Sequence, residues 1–314
     1  MSSANLCRRD FLRAAVATCV TASLTSAAVS SSPVIDTHTH FYDPSRPQGV
    51  PWPSKNDPLL YRTVLPAEFK KIAVPLGITG TVVVEASPWV EDNQFVLDLA
   101  KDEPFIVGLC GNLTPGEADF AQHLARFSKN PLFRGIRIAG ADWVKRVADD
   151  RFIDDLKRML DADLQLDVNT GTANLPATAK LADRLPALRM VLNHCANTPI
   201  DGQAVKPDWL AGMKALGGRR NVFAKVSGVV EGTAKRNGDA PADVAFYKPV
   251  LDVLWEQFGE DRLIFGSNWP VSARFAPLDR VVGIVRGYFE PRGPAVLAKV
   301  LGGNAATAYK CVKR

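Results

Sequence analysis

The chain has 314 residues, 46% of them hydrophobic and 23% charged, with a formal net charge of +5. A chain of this size and balance buries one large core or two smaller ones, and without a dense Lys/Arg run or a basic stripe with interleaved aromatics it is no candidate for nucleic-acid binding. Cys7, Cys19, Cys110, Cys195 and Cys311 are odd in number and widely spaced, which does not describe a disulfide framework.

Residues 1–30 read as a segment apart from the fold. Cys7-Arg8-Arg9-Asp10-Phe11-Leu12-Arg13 resembles the twin-arginine export signal. A mildly apolar stretch follows from Ala14 to Val29, and Ser26-Ala27-Ala28 offers a peptidase site. The stretch is too short and too rich in Ser and Thr for a membrane span. These residues predict an exported protein that meets the twin-arginine machinery. It ends in the periplasm or outside the cell, without a stable membrane anchor. Residues 31–314 are then the working domain.

The domain opens on Val34-Ile35-Asp36-Thr37-His38-Thr39-His40. Residues two apart on a strand share a face, so His38 and His40 stand side by side where an apolar strand ends. Residues 41–66, rich in Pro, Trp and Tyr, form an irregular insertion beside that end.

A rhythm follows. Helices are predicted over 68–76, 94–101, 117–128, 152–162, 175–184, 209–216, 247–258, 277–288 and 294–301. Apolar strands alternate with them at 81–85, 105–109, 134–138, 164–169, 188–194, 222–226 and 262–268. With the first strand that makes about eight βα units of the parallel, doubly buried type. The reading is a single-domain (β/α)8 TIM-like barrel. An open doubly wound sheet is the alternative, but no Gly-x-Gly-x-x-Gly turn follows an early strand.

A barrel gathers its chemistry at the C-terminal ends of its strands. Those ends carry His38, His40, Glu85, Arg137, Asn169, His194, Lys225 and Asn268. Each alone has a plain structural reading, as a hydrogen-bonded or ion-paired rim residue; their convergence on one rim is what makes a site. His123 sits mid-helix and reads as a surface residue. Cys195 follows His194 and points to the other side of its strand.

Five stretches carry a resemblance: Ile-Asp-Thr-His-Thr-His-Phe-Tyr-Asp (35–43), Arg-Gly-Ile-Arg (134–137), Val-Leu-Asn-His-Cys (191–195), Lys-Val-Ser-Gly (225–228) and Phe-Gly-Ser-Asn-Trp-Pro-Val (265–271). In this order they resemble the amidohydrolase superfamily, in the branch of metal-dependent hydrolases that holds the sugar-lactone and pyrone-lactone hydrolases. The resemblance runs from about Val34 to the end. It implies a hydrolase that opens a lactone of a sugar acid or related carboxylate. His38, His40 and His194 would bind a divalent metal, zinc foremost, or polarise the carbonyl with no metal at all. Arg137 and Lys225 would grip the small-molecule substrate, Asn169 would sit at the same rim, and Trp52, Trp89 and Trp269 would wall the pocket. The branch usually has Gly-Ser-Asp-Trp-Pro where this chain has Asn268. An amide cannot take a proton from water, although it can orient one. Glu85 or a metal-bound hydroxide would then be the base. Otherwise the chemistry is a decarboxylation, or the site only binds.

Overall fold

The computed structural model describes residues 1, 32–140 and 142–314. The twin-arginine motif lies outside the described residues. Among them, no helix is long and apolar enough to cross a membrane.

Eight strands run β1 (Ile35–Thr39), β2 (Gly80–Val84), β3 (Ile106–Gly111), β4 (Phe133–Ala139), β5 (Gln165–Asn169), β6 (Met190–Leu192), β7 (Val222–Val226) and β8 (Leu263–Phe265). They form one sheet in sequence order, every neighbouring pair parallel. A bridge from Thr39 to Trp269 brings its ends together, and the His40 backbone N–H donates to the Trp269 carbonyl at 3.0 Å. This is the expected (β/α)8 barrel. The strands are apolar on both sides because both sides are covered. Outside, helix residues such as Phe69, Phe120, Phe152, Trp209 and Phe289 fill one core. Inside, Val82, Val84, Cys110, Val191 and Ile264 fill another.

Two strands stop earlier than the sequence reading has them. β6 ends at Leu192, because His194, Cys195, Ala196 and Asn197 all take left-handed φ values of 50 to 55°. Such a run costs roughly 1–2 kcal/mol per non-glycine residue and turns the chain off the sheet. β8 ends at Phe265, and Asn268 also has a left-handed φ of 60°. His194 and Asn268 therefore stand on sharp turns rather than on strands.

Two helices escape the sequence reading, Trp143–Ala148 and Asn304–Tyr309. The second plugs the N-terminal end of the barrel, where Ala305, Ala308 and Tyr309 complete the inner core. Arg134 Nε donates to the Tyr309 carbonyl at 2.8 Å and Arg189 Nε to that of Ala308 at 2.9 Å. These two cations satisfy carbonyls that the helix end leaves open.

Candidate active site

The site is built in layers up the barrel axis. Deepest is an ion pair, Lys225 Nζ to Asp167 Oδ2 at 2.8 Å, with neither side chain exposed. Nζ also donates to the Thr37 carbonyl at 3.0 Å and to His38 Nδ1 at 3.2 Å. Three acceptors match the three donors of an ammonium. Asp167 is held in turn by Tyr309 Oη at 2.8 Å and Asn193 Nδ2 at 2.9 Å. Lys225 is thus spent on the barrel interior and does not reach a substrate. The sequence places it at a strand end, but it lies one step below the rim.

His38 is the next layer, fully buried between Lys225 and Arg137. Asp36 Oδ1 accepts from the backbone N–H of His38 at 3.0 Å and of Ser267 at 2.8 Å, which ties β1 to the turn after β8. Burial raises the Asp36 carboxyl to about 6, against these hydrogen bonds. A Cβ on Gly266 would lie 2.9 Å from His38 Cβ, so only glycine lets the turn pass this close.

Above lies a cavity of about 460 Å³, lined by His40, Trp52, Glu85, Arg137, His194 and Asn268 among others. His40 Nδ1 donates to the Val84 carbonyl at 2.9 Å, leaving Nε2 as a lone pair 3.1 Å from Asn268 Oδ1. His194 is fixed by Ser227 Oγ, which lies 3.0 Å from Nδ1 and 3.2 Å from the backbone N. Gly228, with φ 67°, lets the chain pass this ring; a Cβ there would lie 2.7 Å from His194 Cβ. Burial drives His40 down to about 3 and carries His38 and His194 well below the usual imidazole range, with nearby cations adding to the effect. All three rings are neutral. Arg137 uses Nε and Nη2 on Glu85, at 2.7 Å to Oε1 and 2.9 Å to the backbone carbonyl. Its Nη1 has only a 3.5 Å contact with His38 Nε2, which leaves it free for another oxygen. Burial raises the Glu85 carboxyl and Arg137 opposes it.

The expected three-histidine metal set does not fit this donor arrangement. His38 Nδ1 is occupied by Lys225, so its proton sits on Nε2, and the ring lies behind the cavity wall. Only His40 and His194 line the cavity.

The aromatic walls divide. Trp52 lines the cavity, its ring 5.8 Å from that of His40. Trp89 is a correction: it is exposed and lines not this cavity but an adjoining small cleft beneath the insertion, which shares Trp52, Glu85, Ala86 and Ser87 with it. Trp269 is another, buried against Phe69 and Phe41 with ring separations of 5.0 and 6.3 Å. Asn169 is not among the cavity-lining residues; it accepts from Asn197 Nδ2 at 2.9 Å and steadies the left-handed turn. Cys195 is buried beside the carbonyls of Lys225 and Ser227, and burial pushes its thiol up to about 12, so it is no nucleophile.

Four residues that hold the site were not singled out from sequence: Asp167, Ser227, Glu231 and Tyr309. Glu231 lies on the short turn Glu231–Thr233 after β7. Its Oε1 accepts from Asn268 Nδ2 at 2.8 Å, and its Oε2 is buried without a partner. Burial raises its carboxyl to about 7, partly offset by that bond.

The chain is similar to proteins of known name and structure. A lactonase of Burkholderia ambifaria, L-fucono-1,5-lactonase, is 32% identical over 287 residues, 88% of this chain and 95% of that one. A solved amidohydrolase from Burkholderia multivorans with bound Zn superposes with a TM-score of 0.81 at 27% identity, covering 89% of this chain and 99% of that one. The 5-carboxyvanillate decarboxylase of Sphingomonas paucimobilis shares the fold alone, at 16% identity and a TM-score of 0.66, covering 90% and 100%. Residues 35–311 match the amidohydrolase family, and with a match reaching from β1 past the helix that closes the barrel floor, the chain belongs to that family.

Proposed function

We propose that this protein is a hydrolase that opens a lactone of a sugar acid or a related carboxylate. The observation that carries the reading is the cavity itself. It sets a free Arg137 donor, the His194 ring, one carboxylate and an amide oxygen around a space sized for one small cyclic molecule. The 32% identical relative named as a lactonase supports the class of bond.

In the mechanism, Arg137 Nη1 and His194 face the lactone carbonyl and stabilise the oxyanion that forms there. Water, oriented by Asn268 Oδ1, attacks the carbonyl carbon. Glu85 is the one carboxylate among the described residues lining the cavity, and its raised affinity for protons suits it to take the proton from water. The ring C–O bond then breaks, and the proton passes to the departing ring oxygen. The product is an open hydroxy acid, with atoms and charge balanced. With its lone pair committed to Lys225, His38 has none to offer a zinc ion of the kind that one relative binds.

The test is turnover of a panel of aldono-1,5-lactones, followed by acid release with a pH indicator. His194→Ala abolishes turnover while circular dichroism stays native. Undiminished activity in that variant overturns the assignment. Asn268→Asp separates a working enzyme from a barrel that only binds: activity appearing only in the variant favours binding.

Export by the twin-arginine route belongs to the same proposal, supported by Arg8-Arg9-Asp10-Phe11-Leu12. The mature protein is then periplasmic or secreted.

A further inference from the structure

The cavity carries more charge than the opening of a neutral ring calls for. Among the described residues, three charged side chains line it: Glu85, Arg137 and Arg146. Glu85 and Arg137 are bound to each other at 2.7 Å and cancel. The His40 and His194 rings are neutral. Arg146 is left as an uncompensated positive charge, and the excess grows whenever Glu85 takes a proton.

The fold does not spend that charge. Arg146 stands on the helix Trp143–Ala148, which other residues fasten. Trp143 Nε1 donates to Thr178 Oγ1 at 2.9 Å, and the Val147 carbonyl accepts from Arg184 Nη1 at 2.8 Å. The acids at the ends of this helix face other cations. Asp142 lies 3.6 Å from Lys145, Asp149 3.6 Å from Arg151 and Asp150 3.0 Å from Arg184. Among the described residues the Arg146 guanidinium has neither an ion pair nor a hydrogen bond, although it is half-buried at the cavity.

Two neutral polar side chains line the same cavity, Asn112 and Thr114 on the loop after β3. Backbone contacts, not these side chains, hold that loop. Asn93 Nδ2 donates to the Asn112 carbonyl, and Asn93 Oδ1 accepts from the Asn112 N–H, both at 2.8 Å. A Cβ on Gly111 would collide with Asn93 Oδ1, so glycine admits this clamp. The Asn112 amide and the Thr114 hydroxyl are thereby left for a ligand.

We infer that Arg146 is a specificity-determining residue: with Asn112 and Thr114 on the same cavity, it binds a carboxylate that the lactone carries outside its ring. The substrate is then the monolactone of a sugar diacid, and the product an open dicarboxylate. This deepens the hydrolase reading above and rests on it. Arg137 serves the ring carbonyl and Arg146 the free carboxylate. One guanidinium matches the single charge of a carboxylate in a two-pronged fork. A phosphate dianion would bring a second charge that the lining does not answer.

The experiment compares matched lactones. Hexono- and hexaro-lactones of the gluco and galacto series share ring and stereochemistry. They differ at the sixth carbon, a hydroxymethyl group in one and a carboxylate in the other. The native protein prefers the hexaro-lactone by about 10- to 100-fold in kcat/KM, the worth of one charge-assisted pair. Arg146→Met removes the preference and leaves hexono-lactone turnover unchanged. Arg146→Lys keeps part of it, since the charge stays but the fork goes. Lys145→Met takes the same charge from a neighbouring exposed position and leaves the preference intact. A native preference for the hexono-lactone, or for its 6-phosphate over both, overturns the inference. So does an Arg146→Met variant that lowers both members of a pair alike, since that is a loss of structure rather than of recognition.

A second readout needs no turnover. Methyl hexuronides and methyl hexosides carry the same difference at the sixth carbon and have no ring carbonyl to open. In calorimetric titrations the native protein binds the uronide about tenfold more tightly than Arg146→Met does, and salt narrows the gap. If no lactone is opened but this difference is present, the carboxylate site stands and the lactone reading falls. If lactones are opened but the uronide binds no better than the hexoside, the inference falls and the hydrolase reading stands. If neither probe is opened or bound, both fall.

Discussion

Lys225→Met tests whether the strand-end lysine serves the fold or the substrate. The native Nζ makes three hydrogen bonds, at 2.8, 3.0 and 3.2 Å, inside the barrel. Methionine fills similar space but leaves Asp167 with only Tyr309 and Asn193 as partners. Removing one member of a buried ion pair costs about 3–5 kcal/mol, because the remaining charge stays out of water. At roughly 2–4 °C per kcal/mol for a domain of this size, the midpoint falls by about 10 °C. Urea unfolding followed by circular dichroism gives the free energy, and lactone kinetics on the same preparation give KM. The expected pattern is a large loss of stability with KM unchanged. Lys225→Met with Asp167→Asn recovers part of the loss, since both charges then leave the core. A variant as stable as the native protein with a raised KM would refute the reasoning and return Lys225 to the substrate.

Asp36 should give stability a distinct pH dependence. Its carboxyl rises from 3.8 to about 6 on folding, so between those values the folded state binds more protons. Its contribution is full below about pH 4 and is lost as pH rises to about 6, some 3 kcal/mol over that window. The difference between native and Asp36→Asn urea midpoints, measured from pH 4 to 7, isolates this slope; parallel profiles would contradict it. Gly228→Ala should lose about 1–2 kcal/mol from its left-handed backbone alone and displace His194. Gly283→Ala, on an exposed helix face with nothing within 4 Å of the new methyl, should gain about 0.5–1 kcal/mol; thermal melts of the two variants should move in opposite directions. Replacing Arg8 and Arg9 with lysines should leave the protein in the cytoplasm with its leader uncut, which fractionation and N-terminal sequencing would show.

The barrel was legible because βα alternation is written in apolar runs. The histidine pair was legible because i and i+2 share a face. Depth along a strand was not. Asp167 and Asn169 share a face of β5, about 7 Å apart along it, and the sequence reading favours the outer one. The deeper residue is the one bound to Lys225. Period tells which side a residue faces, but where a strand stops is set by the turn that follows. The left-handed turn at His194–Asn197 carries no glycine to announce it. Glu231 was missed for another reason. It lies on a loop after β7, and only the folded chain brings it across to Asn268, 37 residues away. The amide at 268, where the family pattern has an aspartate, was the available clue to a carboxylate elsewhere.

Tyr309 gives the barrel a dependence on the order of synthesis. Its hydroxyl donates to Asp167 Oδ1, and its helix closes the end of the barrel opposite the cavity. A nascent chain that has delivered all eight strands still lacks this contact. Asp167 then meets water from below, its pairing with Lys225 is screened, and His38 loses a firm neighbour. The floor of the site is thus laid after its walls, by the last helix of the chain to be made.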